Sequence, residues 1–534
     1  MGKKKAVICG LVTGAALEAS LVLGRLLMDR GQRGLLWSLA ELLLGWGGFG
    51  LLYYFLWNFE GSGGGRGFRM AGKKRCWLAV WLGMFLCYLP CYAAFFPGIM
   101  SYDSKRITEQ ALGLRPFDNF QPFLHTILWT ACVRLEQRLG VAQSGIVLYS
   151  VAQMLALTAV FTCVLYYMVK RGLRKGLVVS AFLMYALCPS IVLFSFITTK
   201  DILFGAFVLL MALLLTEFCR DAEGFFEGWG RPACFVLVGL AACLFRNNMI
   251  YVMLLTAAVV LAVFRGQRKR AALMFLCVIA GYFLITGPVY RGLGVLPGYA
   301  REMLSVPLSQ LANVYREEKE DLDAADRELM LKYIPDIERY ERQFADPIKL
   351  TFHEEEYKKK KGEFWSLWLR YLRKEPRLYA EAFLVLNAPL WYMESDTVDP
   401  YISLGLFSRH YTFEYRDRLP GVRQFYTAVA EYDRAEEGIL RWPVIRQFFS
   451  VALPIWVLLA AACALAAEGR WKRAIPLLPL VLLWMTYLLG PVSNFRYMFP
   501  IIISYPLILM LVLDKEREGS GRNYRYVEKW WQVR

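Results

Sequence analysis

Long apolar runs recur from one end of the chain to the other, and each is a commitment about solvent before it is one about fold. Runs long enough to cross a hydrocarbon core of about 30 Å occupy residues 6 to 27, 35 to 58, 77 to 96, 143 to 169, 176 to 194, 202 to 218, 271 to 290, 446 to 467, 474 to 490 and 497 to 513. Residues 232 to 264 add two shorter runs around Arg246, Asn247 and Asn248. With 57% hydrophobic and 20% charged residues over 534 positions, a soluble multidomain protein is excluded. A backbone in lipid has to satisfy its own polar groups, so these runs predict an all-α polytopic membrane protein with about twelve transmembrane helices.

Charge then orients the chain. The formal net charge is +17, and Lys and Arg gather at Arg66 to Arg75, Lys170 to Lys175, Arg265 to Arg270, Arg470 to Arg473 and in the tail after Asp514. Those segments are expected in the cytoplasm, and the basic surplus therefore reads as topology and not as nucleic-acid binding. Alternation puts residues 97 to 142, 195 to 201, 292 to 445 and 491 to 496 outside, with both termini cytoplasmic in a multi-pass cell-membrane protein. One hairpin conflicts with this scheme: if the first two spans both cross, Arg25, Arg30 and Arg33 lie outside. The start Met1-Gly2-Lys3 before an apolar run resembles a signal peptide, but no small-residue cleavage site precedes Arg25, which favours a retained helix.

The expected organisation is an N-terminal transmembrane hairpin (1 to 60), a Gly-rich basic cytoplasmic linker (61 to 76), and a catalytic transmembrane core (77 to 291) whose first outer loop spans 97 to 142. An extracytoplasmic, mainly helical soluble domain follows at 292 to 445, then C-terminal transmembrane helices (446 to 513) and a basic tail (514 to 534). The outer domain is dense in both charges, as in Glu317-Glu318-Lys319-Glu320 and Glu354-Glu355-Glu356. Amphipathic helices are expected at Asp321 to Tyr333 and Phe364 to Leu372, with aromatic loops at Trp391-Tyr392 and Tyr411 to Tyr415. Residues 123 to 140 show helical apolar spacing and are expected to lie along the outer surface. All twelve Cys lie in or beside apolar spans, so no disulfide framework is implied in the outer domain.

Polar residues at the boundaries are the candidates for chemistry. Asp103 follows Pro97 and Gly98, which end a span, and a fixed carboxylate there is suited to take a proton from a nucleophile. The same residue equally suits a helix N-cap. Lys200 and Asp201 are wedged between long spans, apt for phosphate and hydroxyl respectively, or else for snorkelling and capping. Arg246 interrupts an apolar stretch, where an unpaired cation costs at least about 2.5 kcal/mol. It needs an anion from a ligand or from a membrane acid such as Glu18 or Glu41, unless it marks a simple outer turn. Arg496, beside Tyr497, is placed to hold a phosphate bidentately or simply to mark a boundary. His125 and Gln121 complete the polar set, with a structural role the commoner one for a lone His. The glycines of Gly45-Trp46-Gly47-Gly48-Phe49-Gly50 match a dinucleotide-binding spacing, but with no strand before them they read as close helix packing. Asp and Glu are ligand types for Mg or Mn, though the spacing demands no metal.

Taken together, Asp103 in a first outer loop, the surface helix at 123 to 140 and the acid Asp201 in a later short loop resemble the glycosyltransferase-C superfamily of polyprenyl-phosphate-sugar-dependent membrane enzymes, which includes protein mannosyltransferases and aminoarabinose transferases. The segment Pro97 to Thr126, with Gln110-Ala111-Leu112-Gly113 and Pro122-Phe123-Leu124-His125-Thr126, looks like a bacterial branch of it, as do Lys200-Asp201, Arg246-Asn247 and Ser305-Val306-Pro307-Leu308. Two departures stand out. Relatives often carry His-His before the proline, where this chain has Phe120-Gln121, and mannosyltransferases tend to pair two acids where only Asp103 follows Tyr102. The resemblance implies transfer of a sugar from a polyprenyl-phosphate donor in the bilayer to a glycan, lipid or protein acceptor. Asp103 would be the general base, Asp201 would orient acceptor or cation, and Lys200, Arg246 and Arg496 would neutralise phosphate, with Asn247, Tyr497, His125 and Gln121 nearby. The rival expectation is a transporter or flippase of a lipid-linked glycan, which the short helix pair around Arg246 favours.

Overall fold

The computed structural model describes residues 3–28, 35–58, 74–395, 411, 418–430 and 447–514. These are almost wholly helical, as an apolar backbone that must pair its own N–H and C=O groups requires. Among the described residues, seven helices are long and apolar enough to cross a membrane: Lys4–Leu27, Leu39–Leu56, Arg75–Ala94, Ser144–Lys170, Lys200–Arg220, Arg265–Gly292 and Phe495–Leu513. Shorter apolar helices are Lys175–Leu187, Gly230–Phe245, Met249–Val263 and Leu453–Ala467. The fold fits a membrane protein.

Two expected spans are not continuous. The run 176 to 194 breaks into Lys175–Leu187 and Pro189–Phe194, with Cys188 extended between them. Pro189 lacks the N–H a continuing helix needs, and its ring disfavours the helical region for the residue before it. The run 474 to 490 begins as a 3-10 helix, Trp471–Leu477, and becomes α-helical only over Leu478–Tyr487. Phe123–Leu139 does not merely lie on the surface. One face, with His125, Trp129 and Val133, is buried.

The first two helices form a hairpin whose glycines let backbones touch. A Cβ on Gly10 would sit 2.6 Å from Gly50 Cα and one on Gly14 2.8 Å from Trp46 N, so the close approach rests on the glycines of the first helix, while Gly47 and Gly48 in the run 45 to 50 face open space. Both ends of the hairpin are anchored. Lys5 Nζ donates to Ala467 O (3.1 Å) at one end. At the other, buried Arg25 is clamped by Glu41 (2.8 Å) and Glu394 (2.9 Å). That pairing removes the objection to Arg25 lying on the same side as residues 292 to 395, because its charge is matched there. Arg30 and Arg33 lie outside the described residues.

The bundle therefore has two chemically distinct ends. At the basic end, Asp514 Oδ2 accepts from Arg171 Nε (3.1 Å) and Arg220, while its backbone oxygen accepts from Arg470 (2.9 Å) and Arg473 (2.5 Å). At the opposite end lie Asp103 and the helical domain after residue 292. That domain has its own core, in which Leu308, Leu311, Tyr333, Phe364, Leu367 and Tyr371 meet. Its helices include Ala324–Tyr333 and Lys361–Lys374, over the two stretches expected to be amphipathic. Trp391 ends a single turn, Ala388–Trp391, and of the loop Tyr411 to Tyr415 only Tyr411 is among the described residues.

Candidate functional site

Two segments far apart in sequence are sewn together at the end opposite Asp514. After Lys74–Ala94, Gly98 takes φ +144°, where a Cβ would strike Ser150 Oγ at 2.6 Å, so the turn demands glycine. Strand β1 (Ile99–Met100) then pairs in parallel with β2 (Ile197–Thr198), Ile99 opposite Ile197 and Met100 opposite Thr198. Ser101 and Ser104 hydroxyls both donate to Thr198 O (2.9 Å each), and Gln153 Nε2 donates to Ser195 O and Ile197 O (3.0 and 2.9 Å). Buried extended backbone is tolerated only where partners satisfy it. The result fixes Asp103, just after β1, against Lys200 and Asp201, just after β2.

The carboxylates do not do what capping would ask of them. Asp103 stands at the N-cap of Ser104–Ala111 but makes no capping hydrogen bond. Its Oδ2 instead accepts from Arg496 Nη1 (3.0 Å) and Lys200 Nζ (3.3 Å). The cap of Lys200–Arg220 is Thr199, which accepts from Asp201 N and donates to Asp201 Oδ2 (3.2 Å). Asp201, only 1% exposed at its side chain, accepts from Arg246 Nε at 2.8 Å, and Arg496 Nε lies 3.7 Å from its other oxygen. Arg246 thus finds its anion in Asp201, not in Glu18 or Glu41; Glu41 is Arg25's partner. The buried cation also lies against aromatic faces, 4.5 Å from the Tyr497 centroid and 5.0 Å from that of Tyr487. Those two rings stack on each other (5.5 Å, 24°), and Arg496 lies 5.3 Å from Tyr497.

Gln121 Oε1 accepts from Lys200 Nζ, which brings the loop before the helix Phe123–Leu139 into the cluster. His125 is buried one turn on and bonds Tyr149 Oη (2.8 Å), with no direct contact to either carboxylate. Burial, reinforced by the charge of Lys200, lowers its pKa to about 4, so the ring is neutral at pH 7. Asn247 is the one expected residue turned away: its Oδ1 accepts from Tyr282 (3.4 Å). Tyr487 was not singled out from sequence. Nothing local separates Tyr487 from the other aromatics of a chain that is 15% Phe, Trp and Tyr.

Burial alone would raise the Asp103 carboxyl, but the charges of Arg496 and Lys200 outweigh it and hold it well below the ordinary 3.8. Three cations face two carboxylates. Two guanidiniums and an ammonium offer about thirteen N–H donors, more than two carboxylates can absorb, so the cluster suits an incoming anion. It does not suit Mg or Mn: both acids already face Lys or Arg, and no group of three or more His, Cys, Asp or Glu is placed to hold a metal among the described residues.

Fold and site together define a helical, membrane-type protein with a cation-rich, carboxylate-bearing cluster at one end. Residues 117–525 match the model described as "Family of unknown function (DUF6020)", and the chain belongs to that family. The match takes in Gln121, His125, Lys200, Asp201, Arg246 and Arg496, while Asp103 and the first hairpin precede it. No curated protein and no solved structure matches the chain.

Proposed function

We propose that this protein is a membrane glycosyltransferase that moves a sugar from a polyprenyl-phosphate donor to an extracytoplasmic acceptor. The observation that carries the reading is the convergence of Asp103 and Asp201 with Lys200, Arg246 and Arg496, residues spread over 393 positions. In this scheme the donor phosphate rests among the three cations and Asp103 takes the proton of the acceptor hydroxyl or amine. The freed nucleophile attacks the anomeric carbon, the bond from that carbon to the phosphate oxygen breaks, and the lipid phosphate leaves with inversion at the sugar. Asp201 holds Arg246 ready and orients the acceptor side. The basic end around Asp514 faces the cytoplasm in this reading, so the charged cluster and the domain from residue 292 face out. If the four shorter apolar helices also cross, the seven long ones and these give eleven crossings, near the twelve expected. The place of that domain, at the same end as Asp103, supports a role in choosing the acceptor.

Arg246 bears on the transporter alternative. Its partner Asp201 accounts for a cation between short helices without a substrate pathway. The test is to incubate purified protein in vesicles with radiolabelled polyprenyl-phosphate sugars and a crude envelope acceptor. Covalent transfer of label is expected; movement of intact donor across the vesicle without transfer would assign the protein to the flippases instead.

A further inference from the structure

On the flank where the N-terminal hairpin meets the core, four helices leave a cavity of about 480 Å³. Phe49 and Leu52 come from the hairpin, Ala181 from Lys175–Leu187, Ala461 from Leu453–Ala467, and Tyr505 and Leu509 from the last helix. The wall is mostly apolar: its polar groups are the hydroxyls of Ser180 and Tyr505 and the indole N–H of Trp456, which donates to Trp391 O (3.1 Å). A space of this size is within the range that holds a ligand. Apolar cavities exclude water, and an interior packed like an organic crystal does not leave such a void empty without cost. Such a wall suits a hydrocarbon chain.

Two details say which. Leu52 is 44% and Leu509 37% exposed, so one side of the cavity reaches the bundle perimeter, where bilayer lipid lies. One end of the cavity also reaches the basic end: wall residue Leu177 stands two places after Lys175, and Val512 two before Asp514. Arg174 and Lys175 are exposed there. From Leu177 to Met184 the wall runs roughly 10 Å along the helix axis, a length suited to a stretch of one acyl chain.

We propose that this cavity binds one acyl chain of an anionic phospholipid whose head group rests on Arg174 and Lys175. Juxtamembrane cations attract anionic head groups, and the apolar wall takes the chain without needing any polar partner. Because the hairpin supplies one wall and the core the other three, the lipid fastens the hairpin to the core. The cavity shares no residue with the carboxylate site, so this assignment stands or falls separately from the transferase reading.

The test uses the full chain in nanodiscs of equal phosphatidylglycerol and phosphatidylcholine, in two preparations carrying a diazirine on the acyl chain of one lipid or the other. Adducts mapped by mass spectrometry are expected on the cavity walls, several-fold more from phosphatidylglycerol. Ala181→Trp fills the cavity and should remove them, whereas Leu183→Trp, on the same helix but outside the wall, should keep them. Arg174→Gln with Lys175→Gln should erase the preference between lipids. Equal labelling by both lipids in the unaltered protein, or adducts retained in a folded Ala181→Trp protein, overturns the proposal. Should Ala181→Trp not fold, Ala461→Leu fills the space more gently and is expected to lower the labelling; unchanged labelling there has the same overturning force.

Discussion

Asp103→Asn is expected to abolish sugar transfer and, at the same time, to make the protein hold a polyprenyl monophosphate more tightly. The two effects have one cause. Asp103 Oδ2 receives both Arg496 (3.0 Å) and Lys200 (3.3 Å), so a phosphate arriving at those cations has to displace the carboxylate. An amide removes the competing charge and the base together. Loss of a general base costs about 10²- to 10⁴-fold in rate. Tighter binding on the order of tenfold, or about 1.4 kcal/mol, is expected when farnesyl phosphate is titrated into detergent-solubilised protein. A transfer-competent Asp103→Asn enzyme rejects the base assignment. Weaker binding in that variant means the carboxylate helps to hold the phosphate and does not compete with it.

The same displacement has a pH signature. In the free protein Asp103 titrates well below the ordinary 3.8, because Arg496 and Lys200 outweigh the effect of burial. Its pairing therefore supports the fold above that ordinary value and is lost only as pH falls through the lowered one. Once phosphate engages the cations, burial dominates and the carboxyl climbs. The acid limb of kcat, which reports the bound enzyme, should accordingly lie at higher pH than the acid limb of kcat/KM, which reports the free one. Coincident limbs would mean that Asp103 keeps its cations throughout, and a carboxylate so held is a poor base. His125 adds no limb near neutrality, since burial and Lys200 keep it unprotonated above about pH 4.

What could be read from sequence, and what could not, divides along the range of the interaction. Apolar length specified the helices, because hydrocarbon leaves the backbone no other partner. Boundary position was enough to single out Asp103, Lys200, Asp201, Arg246 and Arg496, since charge beside a long apolar run is expensive without a purpose. Their partnerships were not legible. Arg246 reaches Asp201 across 45 positions and Arg25 reaches Glu394 across 369, and no local pattern encodes either pair. The two-residue strands that fix the site carry too few residues for any periodicity. Pro189, by contrast, was a visible break inside 176 to 194 that apolar length alone overrode.

Removing Asp201 should injure the fold more than removing any other member of the site. Its carboxylate is 1% exposed and holds Arg246, itself 10% exposed, at 2.8 Å, with Arg496 Nε at 3.7 Å on the other side. Asp201→Ala leaves the Arg246 guanidinium buried with aromatic faces alone, and breaking a buried pair from one side costs about 3–5 kcal/mol. The expected reading is a clearly lowered thermal midpoint in detergent. Arg246→Met is expected to be milder, because Arg496 remains to face the orphaned acid. Combining Asp201→Leu with Arg246→Met replaces the pair by apolar groups of similar size, and such replacements are often neutral. The double variant should therefore regain most of the lost stability while transfer stays absent, since a cation for the phosphate has gone. Recovery of transfer along with stability would show that the pair serves only the fold, and would leave Lys200 and Arg496 as the sole phosphate ligands of the proposed mechanism.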